Sequence, residues 1–510
     1  MTSRFYKLII FLITISIYSC QYSHHTNNTD SRTTTISGRI INHDTNNIQI
    51  EFVINRIGSR QERIPYKIDH LGNFKVKFES YIPTETYLCY QSSISVLSNA
   101  GDSIYLVIDG SKKNDVDILE SIKFSGDNKQ VNREYSQFLQ LFFKNRIDED
   151  FRYEKIIDLS PSQYIKFEDS LKNENFKLFN NFSSNKILKE ETKVWISSFI
   201  ENQYYYPVNF YPYYHGMLNN LNQSEWNAPI EYYSFLEERL PLTESDFVSS
   251  DAFATYINCY SAYIYKITMQ EQEKVHGNSW LEKMTENELD SIIVHSIIEH
   301  TYDNLLKQLL LSEFFNNKLE NSKAYTIEKF QPIIIKNITE PCLIEPMLRE
   351  YKLVKETNEN PILSPDLKII EIDSYNLENI FDTILFQNKN KIILIDCWAT
   401  WCSPCLSEFP YSNELITKMK DKDIEFVFIC LQSKEDAWKA KLSRYNLTGK
   451  HYFLDASQSD EFMSKFSING FPYYFLIGKS GEIIDKGSHL RPSDKSTTEK
   501  INSLLRKNVP

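Results

Sequence analysis

The alternation of hydrophobic and polar positions divides this chain into three regions. Over residues 35–125, apolar and polar residues alternate in short runs between Asn, Asp and Gly clusters, which is typical of half-buried strands. Over 126–355, apolar residues recur at helical spacing, and Ser160-Pro161 supplies a cap and a first-turn proline for one helix. Over 361–510, near-continuous apolar runs alternate with helical patterns, which indicates strands buried on both faces.

These patterns predict a multi-domain protein. We expect an N-terminal antiparallel β-sandwich of about seven strands over 35–125 and a central all-α region over 126–355. Residues 361–510 should form a C-terminal α/β fold, with the order βαβα followed by ββα. The length of 510 residues agrees, because one hydrophobic core rarely serves so long a chain. The net charge of −12 argues against a nucleic-acid partner, which would need a basic surface.

The first residues have the pattern of a secretory signal. Arg4 and Lys7 precede an apolar stretch from Leu8 to Ser19, which is shorter than the about 20 residues that span a bilayer. We therefore expect residues 1–19 to be a signal peptide rather than a transmembrane helix.

The end of this stretch, Ile-Tyr-Ser-Cys, resembles a bacterial lipobox. The resemblance implies cleavage before Cys20, lipidation of its thiol and a membrane anchor, with residues 20–34 as a polar tether. Gln21 after the cysteine favours the outer membrane over the inner membrane, by resemblance to lipoprotein sorting signals. The alternative is an ordinary signal peptide with an incidental cysteine.

A C-x-x-C pair follows the first apolar run of the third region. Cys402 and Cys405 come after a predicted buried strand and open a predicted helix. Zinc sites share this spacing, but no two further ligands stand at suitable positions. A helix N-terminus stabilises negative charge, so the pKa of Cys402 should fall below the free value of about 8.5. Cys402 is therefore the predicted nucleophile, and Cys405, one turn further along, resolves the mixed disulfide.

The longer motif W-A-x-W-C-x-P-C-x-x-E-x-P resembles that of the TlpA/ResA-like membrane-associated thioredoxins. The resemblance implies a thioredoxin fold over 361–510 and protein-disulfide reductase activity, with no cofactor beyond the redox-active disulfide. Gly-Phe471-Pro472 resembles the cis-proline loop of that fold, which implies that the Phe471 backbone pairs with an incoming extended peptide. Trp401 is expected to cover the cysteine pair and contact the substrate.

Two carboxylates compete to take the proton of Cys405. Asp396 lies before Cys402 at the position of the buried aspartate of thioredoxin itself, and Glu408 lies after Cys405 at the position of the glutamate of ResA-like proteins. Burial beside the sulfurs would suit either group to proton exchange with a thiol. The alternatives are a strand-end residue bonded to backbone for Asp396 and an exposed first-turn residue for Glu408.

The remaining cysteines are expected to be inert, and none of the candidate residues is assigned to a metal. The aromatic clusters Tyr204–Tyr206 and Phe210–Tyr214 either form a partner-binding surface or pack in the helical core. The Gly-Asn-Phe turn and the strand Gly-Asp-Ser-Ile-Tyr-Leu-Val-Ile-Asp resemble the β domain that precedes thioredoxin modules in Bacteroidetes envelope proteins.

These features predict an envelope lipoprotein that faces the periplasm and exchanges disulfides with periplasmic client proteins. A membrane electron donor would keep it reduced, as for its TlpA/ResA-like relatives. The alternatives are a disulfide-donating oxidase and a redox-regulated client-binding or sensory lipoprotein. Residues 36–355 far exceed what catalysis needs, so we expect them to position or select a client, or to dimerise.

Overall fold

The computed structural model describes most of the chain after the predicted signal. The described residues are 31–44, 48–184, 186–221, 228–243, 248–277, 280–371 and 380–507. The predicted signal peptide, the lipidation site Cys20 and the tether up to residue 30 lie outside them. Within the described ranges, none of the helices combines the length and the apolar character that crossing a membrane requires.

The N-terminal region forms two four-stranded sheets, with the orders β4-β1-β7-β8 and β3-β2-β5-β6. Burial alternates along β4 as its sequence pattern predicts, and the inward side chains of both sheets share one core, which includes Ile36, Phe52 and Leu106. The strands are β1 Arg32–Ile41, β2 Gln49–Ile54, β3 Glu62–Lys67, β4 Asn73–Ser80, β5 Thr84–Tyr90, β6 Ser92–Ser98, β7 Ser103–Asp109 and β8 Lys123–Gly126, with helix α1 at Asp115–Ser121.

One pairing departs from the predicted antiparallel arrangement. Strand β1 runs parallel to β7, with Ile36 opposite Ile104, whereas its other neighbour β4 is antiparallel. A parallel pair needs a long crossover connection, and here the chain passes through five strands before it returns beside β1. Strand β1 also begins at Arg32, inside the stretch that the sequence assigned to the tether.

Helices follow over the central region. They are α2 Lys129–Asn145, α3 Glu149–Asp158, α4 Pro161–Ser184, α5 Glu190–Leu218, α6 Asp251–His276, α7 Glu286–His300, α8 Asn304–Glu320, α9 Ala324–Lys329, α10 Gln331–Asn337 and α11 Pro341–Glu359, with 3₁₀ segments at Ile230–Arg239 and Leu281–Lys283. Helix α4 begins at Pro161 as the sequence predicts. The last strand of the first region ends at Gly126, and α11 ends at Glu359. Both ends lie near the predicted domain limits at 125 and 355, which remain predictions.

Helix α5 separates its aromatic residues onto two faces. Tyr204, Tyr205 and Tyr211 are buried in the helical core, whereas Tyr206 and Tyr213 are exposed to solvent. The helical period of 3.6 residues places neighbours in sequence on different faces, so core packing accounts for some of the rings in these clusters and not for the others. The buried rings hold α5 in place, and the exposed rings are available for contact.

The connection between β2 and β3 docks on helix α8. The Gly58 carbonyl accepts hydrogen bonds from Ser312 Oγ at 3.1 Å and Asn316 Nδ2 at 2.8 Å. Gly58 has a φ of 62°, and a Cβ atom there would lie 2.8 Å from side-chain atoms of Leu343 and Ser312. The left-handed backbone and the close approach both require glycine.

The C-terminal region is a six-stranded sheet with helices on its faces, in the order β14-β13-β10-β11-β12-β9. Its elements are β9 Leu367–Ile369, α12 Ile380–Gln387, β10 Ile392–Trp398, α13 Ser403–Lys418, β11 Ile424–Cys430, α14 Glu435–Arg444, β12 Gly449–Phe453, α15 Ala456–Phe466, β13 Tyr473–Ile477, β14 Ile483–Gly487 and α16 Lys495–Lys507. Strand β10 is central and completely buried, as its apolar run predicts.

The C-terminal region packs against both earlier regions. The Tyr411 hydroxyl on α13 lies 3.5 Å from Glu51 Oε1 on β2, and Arg444 Nη1 on α14 lies 2.5 Å from Glu350 Oε1 on α11. Lys441 is buried at this interface and donates to the Glu320 carbonyl. Burial lowers the pKa of Lys441 to about 8. Because Tyr411 on α13 contacts Glu51 on β2, helix α13 faces the N-terminal β region as well as its own sheet.

Gly58→Ala should destabilise the chain more than Gly277→Ala. Both glycines have a positive φ, but a Cβ at Gly277 would meet no atom within 4 Å, whereas one at Gly58 would overlap Leu343 and Ser312. We expect an additional loss of about 1–3 kcal/mol in the free energy of unfolding, the usual range for overpacking. Chemical denaturation of the two variants measures the difference, and equal losses would contradict the docking of this turn on α8.

Candidate active site

Cys402 lies at the N-terminus of helix α13. It is the N-cap residue, and its Sγ atom accepts the backbone N–H of Cys405 at 3.2 Å. Helix N-termini leave backbone N–H groups without helical partners, and the dipole there favours negative charge. The position follows from the sequence, because the buried strand β10 ends at Trp398 and Pro404 suits the first turn of the next helix.

Cys402 and Cys405 form a disulfide, with their Cα atoms 5.3 Å apart. Cys402 keeps 3% of its surface exposed and Cys405 keeps none, so a molecule that approaches from solvent can reach only the first sulfur. This asymmetry is the one that the spacing predicts, with Cys405 one turn down the helix. The sequence assignment of nucleophile and resolving cysteine fits this geometry.

Trp401 projects from the redox turn with 51% of its surface exposed. Its indole N–H donates to the Gln432 carbonyl at 2.9 Å, and its ring packs edge-on against Phe471 with centroids 5.7 Å apart. These contacts anchor the ring at the loop after β11 and at the proline loop. The exposed Trp401 ring and the half-buried Phe471 ring thus lie side by side at the turn that carries Cys402.

The Phe471–Pro472 peptide bond is cis, as the resemblance implied. Strand β13 begins at Tyr473, which pairs with Cys397 near the end of β10, and the two strands are antiparallel. The loop before β13 and the turn after β10 therefore meet at the same edge of the sheet. Phe471 and Pro472 are brought together with the cysteines by strand pairing, although a long stretch of sequence separates them.

Asp396 is buried in the middle of the sheet, on β10. Neither of its carboxylate oxygens has a hydrogen-bond partner among the described residues, so the alternative of a carboxylate bonded to backbone is excluded. Burial, and secondarily the negative charge of Glu408, raises the pKa of Asp396 well above its ordinary value of 3.8. A raised pKa brings a carboxyl group closer to the range in which a thiol titrates, which suits it to proton exchange with a thiol.

Glu408 is also buried, which excludes the alternative of an exposed first-turn residue. Its Oε1 accepts the hydroxyl of Ser493 at 2.8 Å, and its Oε2 accepts the backbone N–H of Ser493 at 3.0 Å. Arg491 Nη1 lies 3.6 Å from Oε1. The two candidate carboxylates therefore differ sharply: Glu408 is held by several donors, and Asp396 by none in the described part of the chain.

Three residues near the carboxylates were not expected from the sequence. Arg491 and Ser493 come from the loop before α16 and hold Glu408, and Tyr474 lies opposite Asp396 across the β10–β13 pair. The loop sequence carries no motif that could have marked the first two. The register of β13 against β10 would have found Tyr474, but the sequence alone does not give that register.

The five described cysteines outside the pair are free thiols. Burial raises the pKa of each, to about 12 for Cys342 and Cys430. Cys89 is half-buried and the other four are buried, so these thiols are poor nucleophiles at neutral pH. The described residues contain no group of three or more His, Cys, Asp or Glu side chains that could hold a metal ion.

Comparisons with known proteins match the C-terminal part of the chain. A family model described as "Thioredoxin-like" matches residues 390–483. The ResA thiol-disulfide oxidoreductase of Bacillus cereus is 26% identical over 147 residues, which are 29% of this chain and 77% of that protein. The ResA of Oceanobacillus iheyensis is 30% identical over 95 residues, which are 19% of this chain and 48% of that protein.

Two solved structures from Bacteroides vulgatus are also similar. A protein named for thiol-disulfide oxidoreductase activity is 38% identical, and the match covers 24% of this chain and 79% of that one, with a TM-score of 0.22. The thioredoxin domain of a thiol-disulfide oxidoreductase is 24% identical over 24% of this chain and 84% of that one, also with a TM-score of 0.22. The family model and the curated relatives show that this chain is a TlpA/ResA-like member of the thioredoxin family and a thiol–disulfide oxidoreductase.

Proposed function

We propose that this protein reduces or exchanges disulfides of client proteins in the bacterial envelope through the dithiol of Cys402 and Cys405. One observation carries the proposal: the Cys402 sulfur lies at the N-terminus of α13 and accepts a backbone N–H. That contact stabilises a thiolate more than a thiol, so it activates the outer cysteine for attack. No further cofactor is required, because the redox group is the cysteine pair itself.

The reaction begins with the reduced enzyme. The Cys402 thiolate attacks one sulfur of a client disulfide, the client S–S bond breaks and a mixed disulfide forms. The released client sulfur leaves as a thiolate and takes a proton. The exposed surface of Trp401 and Phe471 and the backbone of the cis-proline loop would hold the client chain beside Cys402 during this step.

The second step belongs to Cys405. Its thiol gives a proton to a carboxylate, and its sulfur then attacks Cys402 Sγ, which releases the second client thiolate and re-forms the Cys402–Cys405 disulfide. We assign the proton acceptor to Asp396 in its ionised form, because its raised pKa brings it closer to that of a thiol. Glu408, held by Ser493 and Arg491, would act on Asp396 through its charge.

Two electrons pass from the enzyme dithiol to the client in one cycle. The enzyme is left oxidised, as the Cys402–Cys405 pair is here, and a membrane dithiol donor would restore it by the reverse exchange. We propose that lipidation of Cys20 anchors the protein, in the outer membrane rather than the inner one, with the catalytic region facing the periplasm. Cys20 lies outside the described residues, so this part of the proposal rests on the sequence.

Cys405→Ala should trap the client on Cys402. Without the resolving sulfur, the mixed disulfide cannot be released by internal attack, so a covalent adduct with a disulfide-bonded substrate such as insulin should accumulate. Non-reducing electrophoresis should show the adduct, and dithiothreitol should remove it.

Cys402→Ala is the matched control, since it keeps Cys405 but removes the exposed sulfur. It should form no adduct. Equal adduct formation by both variants, or an adduct that peptide mapping places on Cys89, would contradict the assignment of Cys402 as the nucleophile.

Asp396→Asn should stabilise the fold at pH 7 and slow the second exchange step. Because the folded-state pKa of Asp396 is raised above 3.8, the folded chain keeps a proton that the unfolded chain releases, and stability falls as pH rises between those two pKa values. Asparagine does not titrate, so the variant avoids this loss of stability at high pH. Its gain in the free energy of unfolding over the unaltered chain should therefore shrink as the pH falls toward 3.8. Asparagine accepts no proton, so the resolving step should slow about 100-fold.

Glu85→Gln provides the control for stability. Burial and the charge of Asp251 raise the pKa of Glu85 to about 7, and Glu85 lies on β5, outside the C-terminal region. This variant should also weaken the dependence of stability on pH, while its exchange rate stays unchanged. Denaturation between pH 4 and 7 measures the change in stability, and rapid-mixing kinetics measure the rate of the resolving step. An unaltered resolving rate in Asp396→Asn would contradict its role.

A further inference from the structure

A cavity of about 860 Å³ lies between the three regions of the chain. One wall is formed by helices α5 and α6, and the opposite wall by the first turns of α13 with the loop that holds Glu408. The β2–β3 connection, docked on α8 by Gly58, forms its floor. The cavity volume falls within the range that proteins use for specific ligand binding.

The wall on α5 is aromatic. Tyr206, Asn209 and Phe210 line the cavity at spacings of three and four residues, which places them on one face of the helix. The two rings lie 4.9 Å apart, and they are 55% and 36% exposed. The buried face of the same helix fixes their position through Tyr205 and Tyr211. These are large apolar surfaces held rigidly and left open to solvent.

The opposite wall belongs to the redox helix. Pro404, Ser407 and Tyr411 line the cavity at the same three- and four-residue spacing along α13. Pro404 stands between the two redox cysteines in the sequence, so the cavity includes one residue of the redox turn, although neither cysteine lines it. A chain segment bound between α5 and α13 would therefore contact the redox turn at Pro404.

The charges that line the cavity are largely neutralised within the protein. Arg63 pairs with Glu51 at 2.8 Å, and Arg60 pairs with Glu320 at 2.6 Å. A strongly charged ligand would have to break these pairs. The aromatic faces and side-chain amides of the α5 and α6 wall instead suit an uncharged segment, with rings packed on rings and backbone amides bonded to carboxamides.

We propose that the aromatic cleft, formed by Tyr206, Asn209 and Phe210 of α5 and by Pro404, Ser407 and Tyr411 of α13, binds the client. Its occupant is an extended, uncharged segment of the client polypeptide next to the reacting cysteine, with an aromatic or large aliphatic side chain. The assignment of the occupant follows from Pro404, which belongs both to the lining of the cleft and to the redox turn, and it rests on the proposed function.

Two disulfide-bonded peptides test the proposal. They differ only in the residues that flank one cysteine, which are Phe and Leu in the first peptide and Ser in the second. With dithiothreitol as reductant, the full chain should reduce the apolar peptide with a kcat/KM about five-fold or more above that of the Ser peptide, through a lower KM. Tyr206→Ala/Phe210→Ala should reduce this ratio toward one.

Tyr213→Ala is the matched control, because Tyr213 lies on the same helix with 54% exposure but does not line the cleft. It should keep the full ratio of kcat/KM between the apolar peptide and the Ser peptide. Tyr206→Phe, which keeps the ring, should do the same. All three substituted side chains are exposed, so the variants should fold.

The outcomes separate the two proposals. Reduction of neither peptide by the unaltered chain would overturn the proposed function, whereas equal reduction of both would overturn only the cleft. If Tyr213→Ala lost as much selectivity as Tyr206→Ala/Phe210→Ala, the assignment of the cleft would also be overturned. If Tyr206→Ala/Phe210→Ala changed self-association in sedimentation and left the ratio intact, the surface would belong to a second copy of the chain, against the proposal.

Discussion

The backbone N–H of Cys405 donates to the sulfur of Cys402, and the chemistry of this protein depends on that contact. The donor belongs to the first turn of α13, and it is shared between the Cys402 sulfur at 3.2 Å and the Cys402 carbonyl at 3.0 Å. A negative charge on Cys402 is therefore stabilised by groups that are already in place. Cys405 is fully buried, and its sulfur accepts no backbone N–H among the described residues. The position of Cys402 at the start of the helix thus stabilises its thiolate more than that of Cys405, although the two side chains are chemically identical.

Strand β10 brings the other parts of the site to this helix. Its complete burial between β11 and β13 fixes where α13 begins, places Asp396 within the sheet and sets the cis-proline loop at the same edge. Helix α13 then extends the site in the other direction, since it carries Glu408 and forms one wall of the aromatic cleft. Redox chemistry, proton transfer and the proposed client binding therefore share one helix.

The features that the sequence predicts are local. The apolar run of β10, the C-x-x-C spacing and the proline at the start of α4 each act within a few residues, so the pattern alone indicates the element. The predicted order βαβα followed by ββα missed strands β9 and β12 and helices α12 and α15. The short stretch Gly449–Phe453, for example, mixes polar and apolar residues and gives no clear period.

The features that the sequence does not predict depend on distant contacts. The parallel pairing of β1 with β7, the hold of Ser493 on Glu408 and the division of the α5 aromatic residues between core and cleft all join segments far apart in the chain. Burial of Asp396 with no hydrogen-bond partner among the described residues is another example, since it results from the strands on both sides. Periodicity shows which face of an element is apolar, but it does not show what covers that face.

The most direct test is the pH dependence of alkylation of the reduced Cys405→Ala chain. Cys402 should react with iodoacetamide at half its maximal rate well below the free-thiol value of about pH 8.5. Cys89, whose pKa is raised by burial, serves as the comparison within the same molecule. A midpoint for Cys402 at or above pH 8.5 would show that the helix N-terminus does not activate this sulfur.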